Sequence, residues 1–280
     1  MLAVVFFARV FFLSLFDAFL EVGLWGVCFS LIFLSAVRLA LVILLSFFDP
    51  YAKRSVRLIH AWAKSNLWAC GVKVRAHGRE RLDPGKAYLF MANHQSQFDI
   101  LALLAVLDPF QLRWVAKREL RKVPILGLCA QLTHQILVDR ESRTQAVAVI
   151  RQVKRLLDAG ISVLFFPEGT RSKDGQLLPF KPGGFAVAVE TGVPVVPVTI
   201  NGSRRILPSG DWKVRAGEIE IVFGEPIQLD PRLNKKVARE ELLVKVRAAI
   251  AAHHRPDTPP APPASPSLIT PTAAPENPTL

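Results

Sequence analysis

Sulfur is scarce in this chain. Its 280 residues hold three cysteines, Cys28, Cys70 and Cys129, and two methionines. The cysteines cannot all pair, form no C-x-x-C and lack metal-ligand spacing. That argues against a disulfide-built secreted module and a zinc site, and for unpaired thiols in a reducing compartment. No G-x-S-x-G elbow occurs, so the serine nucleophile of hydrolase-type enzymes is missing. Cys129 sits in an apolar helical run and is not read as a nucleophile. Acid is also scarce, with 23 Asp and Glu against 35 Lys and Arg and a net charge of +12. Residues 1–48 nearly lack charge of either sign: Arg9, Asp17, Glu21 and Arg38 cancel. Residues 256–280 carry only Asp257 and Glu276, so residues 49–255 hold +14. With 51% hydrophobic residues and no internal repeat, a fully disordered or collagen-like chain is excluded.

Three segments follow from this distribution. Residues 22–48 contain one charge, Arg38. As a helix they would extend about 40 Å, more than the ~30 Å hydrocarbon core of a bilayer. The head therefore reads as a membrane-anchoring segment, either one spanning helix behind an interfacial stretch or a helical hairpin broken near residues 17–26. It lacks the charged start of a signal peptide and is too long for one. Lys53, Arg54, Arg57 and Lys64 follow, interleaved with Val56, Leu58, Ile59, Trp62, Leu67 and Trp68. This pattern predicts a basic amphipathic helix on anionic headgroups, and the positive-inside rule then puts the rest of the chain on the cytoplasmic face. The tail, 256–280, has nine prolines and little to bury, so it reads as disordered.

Between them, residues 49–255 alternate strand and helix patterns. Strands are expected at 72–76, 87–92, 113–116, 135–138, 161–166, 195–200 and 218–223. Helices are expected at 100–107, 125–132, 143–158, 185–191 and 233–252. Such alternation predicts an α/β fold, a sheet covered by helices.

The strand at 87–92 runs into Asn93-His94-Gln95-Ser96-Gln97-Phe98-Asp99. His94 and Asp99 would lie about 140–150° apart on a regular helix. They meet only if His94 occupies the turn before a helix and Asp99 its first turn. Asp99 would then fix the His94 tautomer and stabilise the imidazolium, a base with its orienting carboxylate and no serine. Taken alone, the pair fits equally a turn histidine beside a helix N-terminal carboxylate. Arg113–Lys122 carries five basic residues and one acid, which also suits a solvated loop. Phe165-Phe166-Pro167-Glu168-Gly169-Thr170-Arg171 ends an apolar strand in a glycine turn followed by a guanidinium, an arrangement able to hold a phosphate.

Four blocks in order carry a resemblance. Asn93–Asp99 resembles N-H-x-S-x-x-D, Lys117–Gly127 resembles K-x-x-L-x-x-x-P-x-x-G, Phe166–Arg171 resembles F-P-E-G-T-R, and Val193–Val198 resembles the valine–proline fourth block of the lysophosphatidic acid acyltransferases, the 1-acylglycerol-3-phosphate branch of the glycerolipid acyltransferase superfamily. Gln135–Arg140 is similar to the family's (I/V)-D-R strand, and Phe180-Lys181-Pro182-Gly183 to its F-K-x-G. The resemblance implies a glycerolipid acyltransferase-like α/β fold, a mixed sheet covered by helices, and a specific reaction. His94, oriented by Asp99, removes the proton from the sn-2 hydroxyl of 1-acylglycerol 3-phosphate. The alkoxide attacks an acyl thioester, either acyl-CoA or acyl-carrier protein, which serves as substrate rather than cofactor. Lys117 and Arg171 hold the acceptor phosphate. Glu168, Gly169 and Thr170 line the substrate, with an oxyanion donor near Gly169. No metal and no acyl-enzyme are required.

Other readings use the same residues less fully. An acyltransferase for another lyso-lipid, such as a lyso-ornithine lipid, would carry identical blocks. A non-enzymatic anionic-lipid binder accounts for the charge and the head but has no use for His94, Asp99 and Arg171 together. Nucleic acid is disfavoured, because no reading motif accompanies the basic charge.

Overall fold

The computed structural model describes residues 37–256, apart from residues 39, 46, 50, 124–125 and 140–145. The tail from residue 257 and the head up to residue 36 lie outside the described residues, as does the Arg140 end of the (I/V)-D-R strand. Among the described residues, no helix is long and apolar enough to cross a membrane.

Seven strands form one sheet. In chain order the elements are α1 (Lys53–Ala69), β1 (Val72–His77), β2 (Leu89–Ala92), α2 (Phe98–Val106), β3 (Leu112–Lys117), α3 (Leu126–Leu132), β4 (Ile136–Val138), α4 (Ala146–Asp158), β5 (Ser162–Phe165), α5 (Gly183–Thr191), β6 (Val195–Asn201), the short α6 (Ser203–Ile206), β7 (Gly217–Phe223) and α7 (Lys235–His253). The strand order is β1-β7-β6-β2-β5-β3-β4. β6, β2, β5, β3 and β4 run parallel, while β7 is antiparallel to β6 and carries β1 parallel beside it. All seven expected strands are present and the sheet is mixed.

The central strands β2, β5 and β6 are buried at every position, because helices cover both faces. Phe90 and Ala92 face a core shared with α1 and α2, whereas Leu89 and Met91 face a core shared with α4, α5 and α7. Unbroken apolar runs are what doubly covered parallel strands require. β1 and β7 alternate more and less buried side chains, as strands with one wetter face do.

That layering positions the site. The chain leaves β2 for α2 on one face and leaves the adjacent β5 for α5 on the other. Two neighbouring strands whose loops part to opposite faces leave a crevice at their carboxyl ends, where open α/β sheets bind ligands.

Two sequence expectations change. α1 is a helix, but Val56, Ala63 and Leu67 are buried against the domain rather than laid on lipid. Its outward stripe is Arg54, Arg57, Lys64 and Trp68. Arg113 does not belong to a basic loop. It is fully buried, and its guanidinium donates to the carbonyl oxygens of Leu112 and Tyr51. Burial pushes its pKa down to about 10. The guanidinium there satisfies the carbonyl of Tyr51, in the segment leading into α1, and that of Leu112 at the start of β3; an apolar substitute would leave the buried acceptors unpaired.

Candidate active site

His94 sits just past β2, on a turn that three contacts fix. Asn93 is fully buried and acts as a rung to β6: its Nδ2 donates to the Ile200 carbonyl at 2.8 Å, and the Ile200 amide donates to its Oδ1 at 2.7 Å. The His94 amide donates to Glu168 Oε1 at 2.7 Å, and its carbonyl accepts from the Ser172 amide at 2.8 Å. The loops after β2 and β5 are thus bolted together across the crevice.

The imidazole is held in turn. Asp99, in the first turn of α2, accepts from His94 Nδ1 at 2.7 Å. The same Oδ2 also accepts the amides of Gln95 and Ser96, at 2.7 and 2.9 Å. With Nδ1–H donated to a buried carboxylate, Nε2 keeps the lone pair and the role of base. The ring stacks on Phe166, with centroids 3.9 Å apart and planes at 17°. Phe166 is the site residue that sequence patterning missed. It reads there as one more apolar residue of a buried strand, and only the β2–β5 register brings its ring to His94.

Glu168 takes a different place from the substrate-lining one expected. It is 2% exposed, and its second oxygen accepts the Leu178 amide at 3.0 Å. Both oxygens are therefore committed to backbone, and the side chain is a strut that ties the β5–α5 loop to itself and to the turn after β2. Burial pushes its carboxyl up to about 7 against the pull of those two amides, and the Asp99 charge adds to the rise. Gly169 next to it turns with φ +73°, and a Cβ there would press on the Lys181 side chain at 3.0–3.1 Å. The turn therefore requires glycine, and the F-K-x-G lysine is its close neighbour. Thr170 is exposed.

Arg171 is half-buried and makes no hydrogen bond or ion pair with the described residues. Its five donors are uncommitted among the described residues, and the bond from the next residue's amide, Ser172, to the His94 carbonyl sets its backbone beside the His94 turn. Lys117 is exposed at the end of β3. β3 lies one strand beyond β5 and two from β2, which puts Lys117 about 10 Å across the sheet from the His94 turn at ~4.8 Å per strand. Base and cations therefore share one end of the sheet. Burial pushes the thiols of Cys70 and Cys129 up, which makes either a poor nucleophile. Among the described residues no group of three or more His, Cys, Asp or Glu could hold a metal ion.

Similarity to known proteins follows the same geometry. Residues 73–201, which carry the site from Asn93 to Lys181, match a family model described as acyltransferase. The 1-acyl-sn-glycerol-3-phosphate acyltransferase of Chlamydomonas reinhardtii is 34% identical over 241 residues, covering 83% of this chain and 68% of that protein. The human alpha enzyme of the same name is 33% identical over 158 residues, 56% of each chain. Against the chloroplastic relative from Arabidopsis thaliana, 34% identical, the chain spans 51% of that protein's length. The crystal structure of PlsC, the lysophosphatidic acid acyltransferase of Thermotoga maritima, superposes with a TM-score of 0.64 at 25% identity, covering 83% of this chain and 97% of that one. With a buried carboxylate orienting a histidine at a sheet switch point and this extent of shared sequence, the chain belongs to the 1-acyl-sn-glycerol-3-phosphate acyltransferase family.

Proposed function

We propose that the protein transfers an acyl group from a thioester to the sn-2 hydroxyl of 1-acylglycerol 3-phosphate, giving phosphatidic acid for phospholipid synthesis. The observation that carries this reading is the His94–Asp99 contact at the exit of β2 together with Arg171, unpaired among the described residues, on the loop bonded to the His94 turn. His94 Nε2 takes the hydroxyl proton as the oxygen attacks the thioester carbonyl. The imidazolium is stabilised by Asp99, 2.7 Å from Nδ1. Collapse of the tetrahedral oxyanion breaks the C–S bond, and the leaving thiolate takes the proton back from His94 Nε2. The base is thereby regenerated and no residue is acylated. The Gly169 amide is taken by the Phe166 carbonyl at 3.0 Å, so the backbone amides that follow it in the turn, from Thr170 on, are the donors proposed for the oxyanion. Arg171, with its planar fork, holds the phosphate, and Lys117 adds a second positive charge. The donor is acyl-CoA or acyl-carrier protein, both thioesters with the same reacting carbon.

We place the enzyme at the cytoplasmic face of a membrane, held by residues 1–48 and by the basic stripe of α1. The path of the chain supports this. The described residues of 37–45 are helical and run back along α1: Arg38 donates to Ser65 near its C-terminal end, while Asp49 accepts the Arg54 amide at its start. Residue 37 thus enters beside the end of α1 that adjoins the active-site edge of the sheet. Transfer of label from an acyl thioester to lysophosphatidate by the purified protein, with His94→Ala as control, tests the reading. Equal turnover by the variant would end it.

A further inference from the structure

Trp212 and Trp68 are the two most exposed large apolar side chains among the described residues, at 89% and 80%. The chemistry above uses neither. Trp68 is in the last turn of α1, and Trp212 is in the loop from residue 207 to 216 that joins α6 to β7. The two segments adjoin. The Gly217 amide donates to the Gly71 carbonyl at 3.3 Å, and a Cβ on Gly71 would meet the Ala216 Cβ at 3.0 Å. Leu67 of α1 and Ile206 of α6 belong to one core, so both tryptophans stand on the same face of the sheet. β7 starts at Gly217 and runs antiparallel to β6, which places this corner at the end of the sheet where β6 finishes and His94 sits.

The loop is built rather than slack. The Asp211 carboxylate accepts the amides of Trp212 and Lys213 at 2.7 and 3.0 Å, and both terminal nitrogens of Arg215 at 3.2 Å. The Arg215 amide donates to the Ile206 carbonyl at 2.9 Å. The base of the loop is tied to the catalytic turns. Ser96 Oγ donates to the Leu207 carbonyl at 2.7 Å, and Arg204 Nε donates to the Lys173 carbonyl at 2.9 Å. Within residues 204–215 the chain sets Arg204, Arg205, Lys213 and Arg215 against one acid, Asp211.

A lone exposed aromatic needs no explanation. A tryptophan fixed on a turn, in a basic loop bolted to the active site, does. Indole rings settle at the headgroup level of bilayers, and cations beside them complement anionic lipid. We infer that the Trp212 loop, with Trp68 beside it, is a lipid-contacting rim that seats in the headgroups of an anionic bilayer and turns the catalytic end of the sheet toward it. This rests on the proposed lipid acceptor and adds a contact separate from residues 1–48. The rim holds the mouth of the crevice at the depth where the acceptor phosphate and hydroxyl lie, while the head holds the molecule on the membrane.

The test uses the full chain with vesicles of phosphatidylglycerol and phosphatidylcholine, with and without brominated acyl chains. The emission of Trp212, taken as wild type minus Trp212→Phe, shifts to the blue on vesicle addition and is quenched by the brominated chains. Emission that neither shifts nor quenches overturns the inference. In parallel, Trp212→Ala and Lys213→Gln raise the apparent KM for lysophosphatidate embedded in vesicles, by about fivefold for the lysine. They leave kinetics toward a short-chain, monomeric lysophosphatidate unchanged. Equal damage with both acceptors overturns it, since that marks a structural fault in the loop. A rise confined to the KM for an acyl-carrier-protein donor also overturns it, since the loop then docks an acidic protein. Wild type that quenches at Trp212 yet acylates neither acceptor upholds the lipid contact and removes the acyltransfer reading instead.

Discussion

His94 is held by its neighbours at every polar atom except Nε2, so its removal should cost chemistry and little else. His94→Ala is expected to lower turnover about 10²–10⁴-fold while thermal melting changes little. Asp99→Asn loses most of the activity as well, because an amide cannot stabilise the imidazolium. It also costs stability, since Oδ2 now serves two backbone amides besides the ring; melting curves beside kinetics separate the two losses. Arg171 gives a different signature. Its lack of a carboxylate partner among the described residues argues against a structural ion pair, so Arg171→Lys should raise the KM for lysophosphatidate far more than that for the thioester. Arg171→Ala does so more strongly. If both KM values moved together with a lower melting temperature, the residue would be structural. Glu168 predicts a pH effect on stability. Its folded pKa of about 7 lies above the unfolded value of 4.5, so the folded state binds more protons between those values. Stability is full below pH 4.5 and falls as pH rises toward 7, by at most about 1.4 kcal/mol per pH unit. Glu168→Gln removes that slope and leaves one amide facing an NH₂ group, at about 1–3 kcal/mol. Urea melts of both proteins at pH 5 and pH 7.5 would show the slope or its absence.

The elements that carry the site are themselves carried by helices far from it. α7 lays Leu242, Val246 and Ile250, all fully buried, on the face of the sheet that holds Leu89, Met91 and Phe165. β2 ends two residues before His94, so a cavity under its strand loosens the turn. Leu242→Ala is expected to cost about 2–5 kcal/mol, and near the melting transition to lose activity in step with the folded fraction. A loss of turnover far below that transition would mean that α7 also tunes site geometry. On the other face α1 shows how an amphipathic pattern can be read two ways. Its apolar positions satisfy a domain core as well as they would satisfy lipid, and periodicity alone carries no information about which partner they meet.

At the scale of the whole molecule, charge and anchoring separate. Deleting residues 1–48 removes the apolar head but keeps Asp49, which caps α1, and the outward stripe of Arg54, Arg57 and Lys64. The truncated protein should sediment partly with anionic vesicles and come off as salt rises, since each basic residue near such a surface contributes about 1 kcal/mol within a Debye length. Retention indifferent to salt would count against this account. Deleting 256–280 leaves the last contacts of the domain intact, because Arg255 still pairs with Glu220 and its amide still donates to Asn201. Activity should therefore be unchanged.

Local sequence determined a great deal here. The seven strands were legible because buried parallel strands need unbroken apolar runs, and the main helices because 3.6-residue periodicity survives in them. The His94–Asp99 pair was legible because a turn followed by a helix start is the one local geometry that lets those positions meet. What followed from pairing between distant segments was not legible. That Phe166 stacks on His94, that Glu168 turns inward to backbone amides, that Arg113 is buried and that Trp212 stands at the same corner as Trp68 all depend on which strands adjoin. Strand order is set by how helices divide between two faces of a sheet, a sum over the whole chain, and no window of sequence contains it.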